Sequence, residues 1–171
     1  MFRDLKADEI DVRVAIVKEN GVSLLLYKDA RVDQDILDES VGEMNWQRKH
    51  SRENANCEVG IWDKEKKQWI WKEDTGTESF SQAEKGLASD SFKRACFNWG
   101  IGRELYTSPF IWVDSTKCKI EPTNRKDNYG NIIYTTRDKF FVEAIEITDK
   151  KITGISIKNQ KNERVFVWKK S

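Results

Sequence analysis

Lys85, Ser89 and Lys93 follow one another at intervals of four residues, which on an α-helix lines them along one face, with Arg94 about 100° round from Lys93. A row of cations one turn apart can track a phosphodiester backbone and release its condensed counterions. The plainer account is a solvated helix face on which Asp90 pairs with Lys93 or Arg94. Trp62, Trp69 and Trp71 carry a similar choice: platforms for stacked nucleobases, or anchors of a core or a subunit interface.

Other chemistries have thinner support. There is no GxxxxGK[ST] and no GxGxxG after a strand, so no phosphate-cradling loop is expected. The single histidine, His50, sits in the basic run Arg48-Lys49-His50 and reads as a solvated surface residue rather than a catalytic base. Asp33, Asp35, Asp38 and Glu39 cluster on one helical stretch, and Glu65-Lys66-Lys67 has the E-x-K shape of some nucleases. A metal-dependent nuclease using Asp35, Asp38 and Glu65 is therefore the alternative from another class, weighed against charges that only solvate a helix face and a hairpin tip. The preferred reading is a binding protein and not an enzyme, with no cofactor.

The elements that must position these residues follow from periodicity. Residues 5–9 suggest a short helical start. Alternation through Val12, Val14 and Ile16, an Asn20-Gly21 turn and the run VSLLLY predict a β-hairpin. Val32, Ile36, Leu37 and Val41 have helical spacing, and Gly42 follows where a helix would stop. Three strands are expected over 45–52, 57–63 and 68–73, with Asp63-Lys64-Glu65-Lys66 as a polar turn. The strongest element is a helix over 81–99. Ser81 and Glu84 form a capping box, Ala88, Phe92, Ala95, Cys96 and Trp99 make an apolar stripe, and Gly100 ends it. After Pro109 the segment PFIWV reads as a strand, residues 114–131 as a mobile loop, and 139–147, 152–159 and 164–168 as a terminal meander. The fold class is α+β: an antiparallel sheet, with a hairpin and a β-β-β-α core, packed on one long helix and followed by a C-terminal β-meander.

Composition sets the outer bounds. A chain of 171 residues is of one-domain length, and 19 aromatics supply the core anchors that a disordered chain lacks. Thirty basic and 29 acidic residues give a net charge of +1, so affinity for nucleic acid must come from local placement of charge. Cys57, Cys96 and Cys118 are far apart in sequence and form no CxxC pair, which argues against structural zinc. With no signal-like start and no long apolar run, a cytoplasmic setting away from membranes is expected.

The order of these features resembles the Rad fifty-two family of single-strand annealing proteins, especially the short versions carried by bacteriophages and prophages. The resemblance runs from Leu5 to about Phe110. It includes L-x-x-x-x-I-x-x-R (Leu5 to Arg13), a hairpin ending in Leu-Tyr, A-R-V before the first helix, and V-G-E-M-N-W (Val41–Trp46). K-E-D-T-G-T-E-S (Lys72–Ser79), A-S-D-S-F-K-R-A (Ala88–Ala95) and W-G-I-G-R-E-L-Y (Trp99–Tyr106) follow, and the stretch from Glu84 to Tyr106 is the most specific.

The resemblance implies ATP-independent binding of single-stranded DNA and annealing of complementary strands in recombination and repair. The expected form is a homo-oligomeric ring of one domain, 1–171, with a family-like core at about 5–110 and a β-rich extension at about 132–171. It places Arg31 and Lys93 in an inner groove on the DNA backbone, with Arg94 beside them. Lys85, with Lys66 or Lys67, falls at an outer DNA site. Further implied partners are a single-strand binding protein or an exonuclease; the setting would be the bacterial host cytoplasm if the chain is phage-encoded. This chain departs from eukaryotic members in carrying Phe97 where they have another helix arginine, and it lacks their long recombinase-binding tail, so mediator activity is not expected. A module that coats single strands without annealing them is the remaining alternative.

Overall fold

A computed structural model describes residues 2–77 and 83–171, the side chains of 83–85 excepted. In chain order, β1 (Asp11–Lys18) and β2 (Gly21–Tyr27) precede α1 (Ala30–Val41), β3 (Trp46–Ser51), β4 (Asn56–Asp63), β5 (Gln68–Thr75) and α2 (Ala83–Asn98). Then come β6 (Ile111–Asp114), β7 (Glu121–Lys126), β8 (Ile132–Thr135), β9 (Phe140–Thr148), β10 (Lys151–Asn159) and β11 (Arg164–Lys169). The fold is α+β with antiparallel pairing throughout the described sheets. The strands divide into six-, three- and two-stranded sheets, where the sequence suggested one sheet on one helix. Two compact units result: Met1–Asp4 with Asp29–Arg103, and Leu5–Lys28 with Glu104–Ser171.

In the first unit α1 starts at Asp29, whose side chain accepts the Arg31 backbone N–H, and stops at Gly42 (φ 88°). Ile36 and Leu37 are buried as their spacing predicts, and Asp33, one turn earlier on the same face, is buried with them. Asp33 is thus no part of a solvated acidic face. The sheet β3-β4-β5 alternates sides strictly. Trp46, Arg48, His50, Cys57, Val59, Ile61, Ile70, Lys72 and Asp74 share the side on which α2 lies; Lys49, Gly60, Trp62, Trp69 and Trp71 share the other.

The α2 helix buries Leu87, Ser91, Phe92, Ala95 and Cys96. Phe92 is stacked on Trp46, with ring centroids 6.1 Å apart, and Arg48 lies 4.8 Å from its centroid. Ala88 and Trp99 are only half-buried, so the buried stripe is shifted toward Leu87 and Ser91. The Ser81 end of the expected capping box lies outside the described residues. Between β3 and β4, Arg52, Glu53 and Asn54 all have left-handed φ of 51–70°. Ser91 Oγ donates to Asn54 O at 2.9 Å, and the Gly76 N–H donates to Ala55 O at 2.7 Å.

The second unit is the six-stranded sheet in the order β11-β10-β9-β1-β2-β6 with the β7-β8 hairpin. Val22, Leu24, Ile111, Val113, Phe140, Ile152, Ile155, Ile157 and Val165 form its core. The N-terminal hairpin and the C-terminal meander therefore belong to one sheet, joined through the pair Asp11–Phe141. The hairpin turn sits at Glu19-Asn20 and Gly21 already belongs to β2. Its lack of a side chain admits Trp112, since a Cβ there would lie 2.6 Å from the indole. Residues 114–131 are not a mobile loop. Glu121–Lys126 within it is the β7 arm of a hairpin whose turn is organised by Asp127, with Oδ1 accepting the N–H groups of Tyr129 and Asn131 at 2.9 Å.

Gly60 faces Trp71 across β4 and β5, and a Cβ built there would come within 2.7 Å of the indole ring. Gly60→Ala is expected to destabilise the first unit by ~1–3 kcal/mol, because a rigid ring on a sheet has little room to retreat. Urea unfolding followed by tryptophan fluorescence would show it as a lowered midpoint at unchanged slope.

Candidate nucleic-acid interface

The start of α1 gathers charge. Asp29 Oδ1 accepts both the Arg31 backbone N–H at 2.8 Å and Arg31 Nε at 2.9 Å; Oδ2 accepts Nη2 at 3.3 Å. The Arg31 side chain is nonetheless 82% exposed. Its hydrogen bonds hold the Asp29 carboxyl down to about 2, and the charge of Lys93 acts in the same direction. Arg31 is raised in turn, chiefly by its hydrogen bond to Asp29. Arg31 binds this carboxylate directly, while Lys93, 62 residues later and on the other helix, adds only a weaker charge effect. This is possible because α1 and α2 pack against each other in the first unit.

Arg94 is placed differently. Its Nε lies 3.4 Å from Asp74 Oδ1 on β5, without the alignment of a hydrogen bond. Nearby, Asn98 Nδ2 donates to Glu73 O at 2.7 Å, and Lys72 Nζ donates to Asn98 O at 2.9 Å while lying 4.6 Å from the Trp99 ring centroid. That side of α2 is fastened to β5. Lys66 and Lys67 lie at the β4–β5 turn, where Lys66 Nζ pairs with Asp63 at 3.5 Å and Lys67 has φ 52°. The side chain of Lys85 lies outside the described residues.

The competing chemistries fare poorly. Asp38 Oδ1 accepts the Trp46 indole N–H at 2.6 Å, so it is spent on anchoring the exit of α1. Among the described residues no group of three or more His, Cys, Asp or Glu is disposed to hold a metal ion. His50 is half-buried rather than solvated; burial, with Arg48 beside it, lowers its pKa. Its Nδ1 is 3.5 Å from Ser91 Oγ, but that hydroxyl donates to the Asn54 and Ala88 carbonyls. Burial pushes the Cys57 thiol up to about 11, which leaves no thiolate at neutral pH.

The tryptophans form a cluster of their own. The Trp62 and Trp69 centroids are 5.6 Å apart, edge to face, and those of Trp69 and Trp71 are 6.1 Å apart. Lys49 Nζ lies 4.1 Å from the Trp71 centroid. Lys49, Arg48 and Lys72, each set over an aromatic ring, were not singled out from the sequence. The signal was strand parity across β3, β4 and β5, which pairs each cation with the side of the sheet its ring occupies. Asp29 was also missed, although a capping carboxylate two residues before an arginine is a legible signature.

A family model described as "Rad52/22 family double-strand break repair protein" matches residues 30–124, from the first residue of α1 into β7. The β1–β2 hairpin and the meander fall outside that match. No curated protein and no solved structure matches the chain. Among the described residues no helix is long and apolar enough to cross a membrane.

The Trp46–Asp38 bond gives a direct test of the acidic cluster. Asp38→Ala is expected to cost ~1–3 kcal/mol of stability by leaving a half-buried indole N–H unpaired. The loss would appear as a lowered thermal midpoint, with affinity for DNA at temperatures below the transition left within about twofold, on the scale of ordinary context effects.

Proposed function

The chain belongs to the Rad52/22 family of double-strand break repair proteins, and from that premise we propose that it binds single-stranded DNA and anneals complementary strands without ATP, as an oligomeric ring. The observation that carries this reading is the exposed Arg31 guanidinium, held by Asp29 at the start of α1, with the charge of Lys93 on the packed α2 helix felt at the same carboxylate. Arg31 offers a planar fork suited to two phosphate oxygens, and Lys93 adds a compact point charge. Arg94, occupied by Asp74, contributes positive potential behind them rather than a first contact. Lys85, Lys66 and Lys67 are assigned to a second, outer contact with DNA.

Annealing on such a surface needs no bond-making chemistry. Cations hold sugar-phosphate, bases stay free, and register is tested by pairing itself. Each subunit grips weakly, and a ring multiplies that grip through effective concentration. A single-strand binding protein or an exonuclease would deliver the strands, in a bacterial cytoplasm where the chain is phage-borne.

Lys93→Glu and Arg31→Glu are each expected to weaken binding of a fluorescent oligonucleotide roughly tenfold, about 1.4 kcal/mol. Lys150→Glu, in the β9–β10 turn, should leave it near the native value. The slope of log affinity against log salt should fall by ~0.7 for each phosphate that is no longer neutralised. Equal effects from all three substitutions would remove the groove assignment. Unaccelerated pairing of complementary oligonucleotides, in the absence of nucleotide and metal, would leave a strand-coating module instead.

A further inference from the structure

We propose that Asp29 is a built-in phosphate mimic, an intramolecular competitor that a DNA phosphate must displace from Arg31 before the strand is gripped. The inference rests on the DNA-binding reading of Arg31 and Lys93 and goes beyond it, since a residue that opposes binding is assigned to the same surface.

The geometry carries the argument. Oδ1 of Asp29 takes Arg31 Nε at 2.9 Å and Oδ2 takes Nη2 at 3.3 Å, so the carboxylate spans the guanidinium fork with both oxygens. A phosphate gripped side-on presents two oxygens to the same Nε–Nη2 edge, so the two anions compete for that edge. The pair is open to solvent, with side chains 82% and 48% exposed, and exposed pairs of this kind are weak enough to be exchanged for another anion. The charge of Lys93 also favours the ionised form of this carboxylate, so the acid stays an anion beside the fork. Its remaining contact, the Arg31 backbone N–H at 2.8 Å, fixes the acid as the α1 cap and keeps it beside the fork in the free protein.

Removing the charge while keeping the cap separates the two roles of Asp29. Asparagine and serine both serve as helix caps about as well as aspartate. Asp29→Asn and Asp29→Ser are expected to raise affinity for a fluorescent oligothymidylate about threefold at low salt, the scale of one exposed ion pair. The gain should vanish on an Arg31→Gln background, because the competitor then has nothing to vacate. Thermal unfolding of each variant checks that the fold is kept.

The outcomes divide cleanly. A gain that persists with Arg31→Gln would show a general charge effect and overturn the proposal. Unchanged or weaker binding by both Asp29 variants, with Arg31→Gln still lowering affinity, would make Asp29 an orienting partner of Arg31; the competitor idea then fails while the groove stands. If Arg31→Gln alone binds as the native chain does, the groove reading itself falls, and the proposal with it.

Discussion

Phe92 is fully buried against the Trp46 ring and the Arg48 guanidinium, and this one seat sets the rotation of α2 about its axis. A helix advances about 100° per residue, so once Phe92 is locked inward, Lys93 is turned off the sheet and Arg94 is carried round toward β5. Of the two adjacent cations, only Arg94 is thereby brought to a partner on the sheet, Asp74. Trp46 is itself fixed by its indole bond to Asp38 on α1. The same contacts that orient α2 thus tie it to the helix that carries Arg31.

Charge is used sparingly in this arrangement. A net charge of +1 leaves no general attraction for a polyanion, and many cations already have local employment. Arg94 is taken by Asp74, Lys66 by Asp63, Arg164 by Glu143, and Lys49 and Lys72 lie over indoles. Arg31 and its partner are both largely exposed, as are Lys119 with Glu121 and Lys169 with Glu146 in the second unit. An interaction of that kind holds a side chain in place without committing it.

Much of the first unit was legible in the sequence because its signals are local. The Ile36-Leu37 spacing with Gly42 bounds α1, and the Asp63–Lys66 turn separates β4 from β5. The features that escaped depend on contacts distant in sequence. Gly21 looked like a turn residue, yet what demands a glycine is Trp112, 91 positions later. Asp33 looked solvated because its neighbours are acidic, yet it falls on the Ile36-Leu37 face. Residues 114–131 looked mobile because polarity and asparagines mark loops; the capping bonds of Asp127, which turn such a sequence into a hairpin, are not visible in composition. Asp29 escaped for the same kind of reason: that its two oxygens meet the Arg31 guanidinium is a matter of side-chain geometry, which composition does not display.

The weakness of the individual contacts has a mechanistic consequence under the proposed function. A strand held by a few deep, desolvated pairs would be slow to leave and slow to shift register. A strand held by exposed pairs, each worth no more than the carboxylate it replaces, can let go of one phosphate while its neighbours keep hold. Summed round an assembly, such contacts give residence, and taken singly they give mobility. Searching for complementarity needs both, because a wrong register must be abandoned far more often than the right one is found. An acid placed at the fork of the gripping arginine shifts that balance toward release without removing the grip, and it does so with a residue the helix requires as its cap in any case.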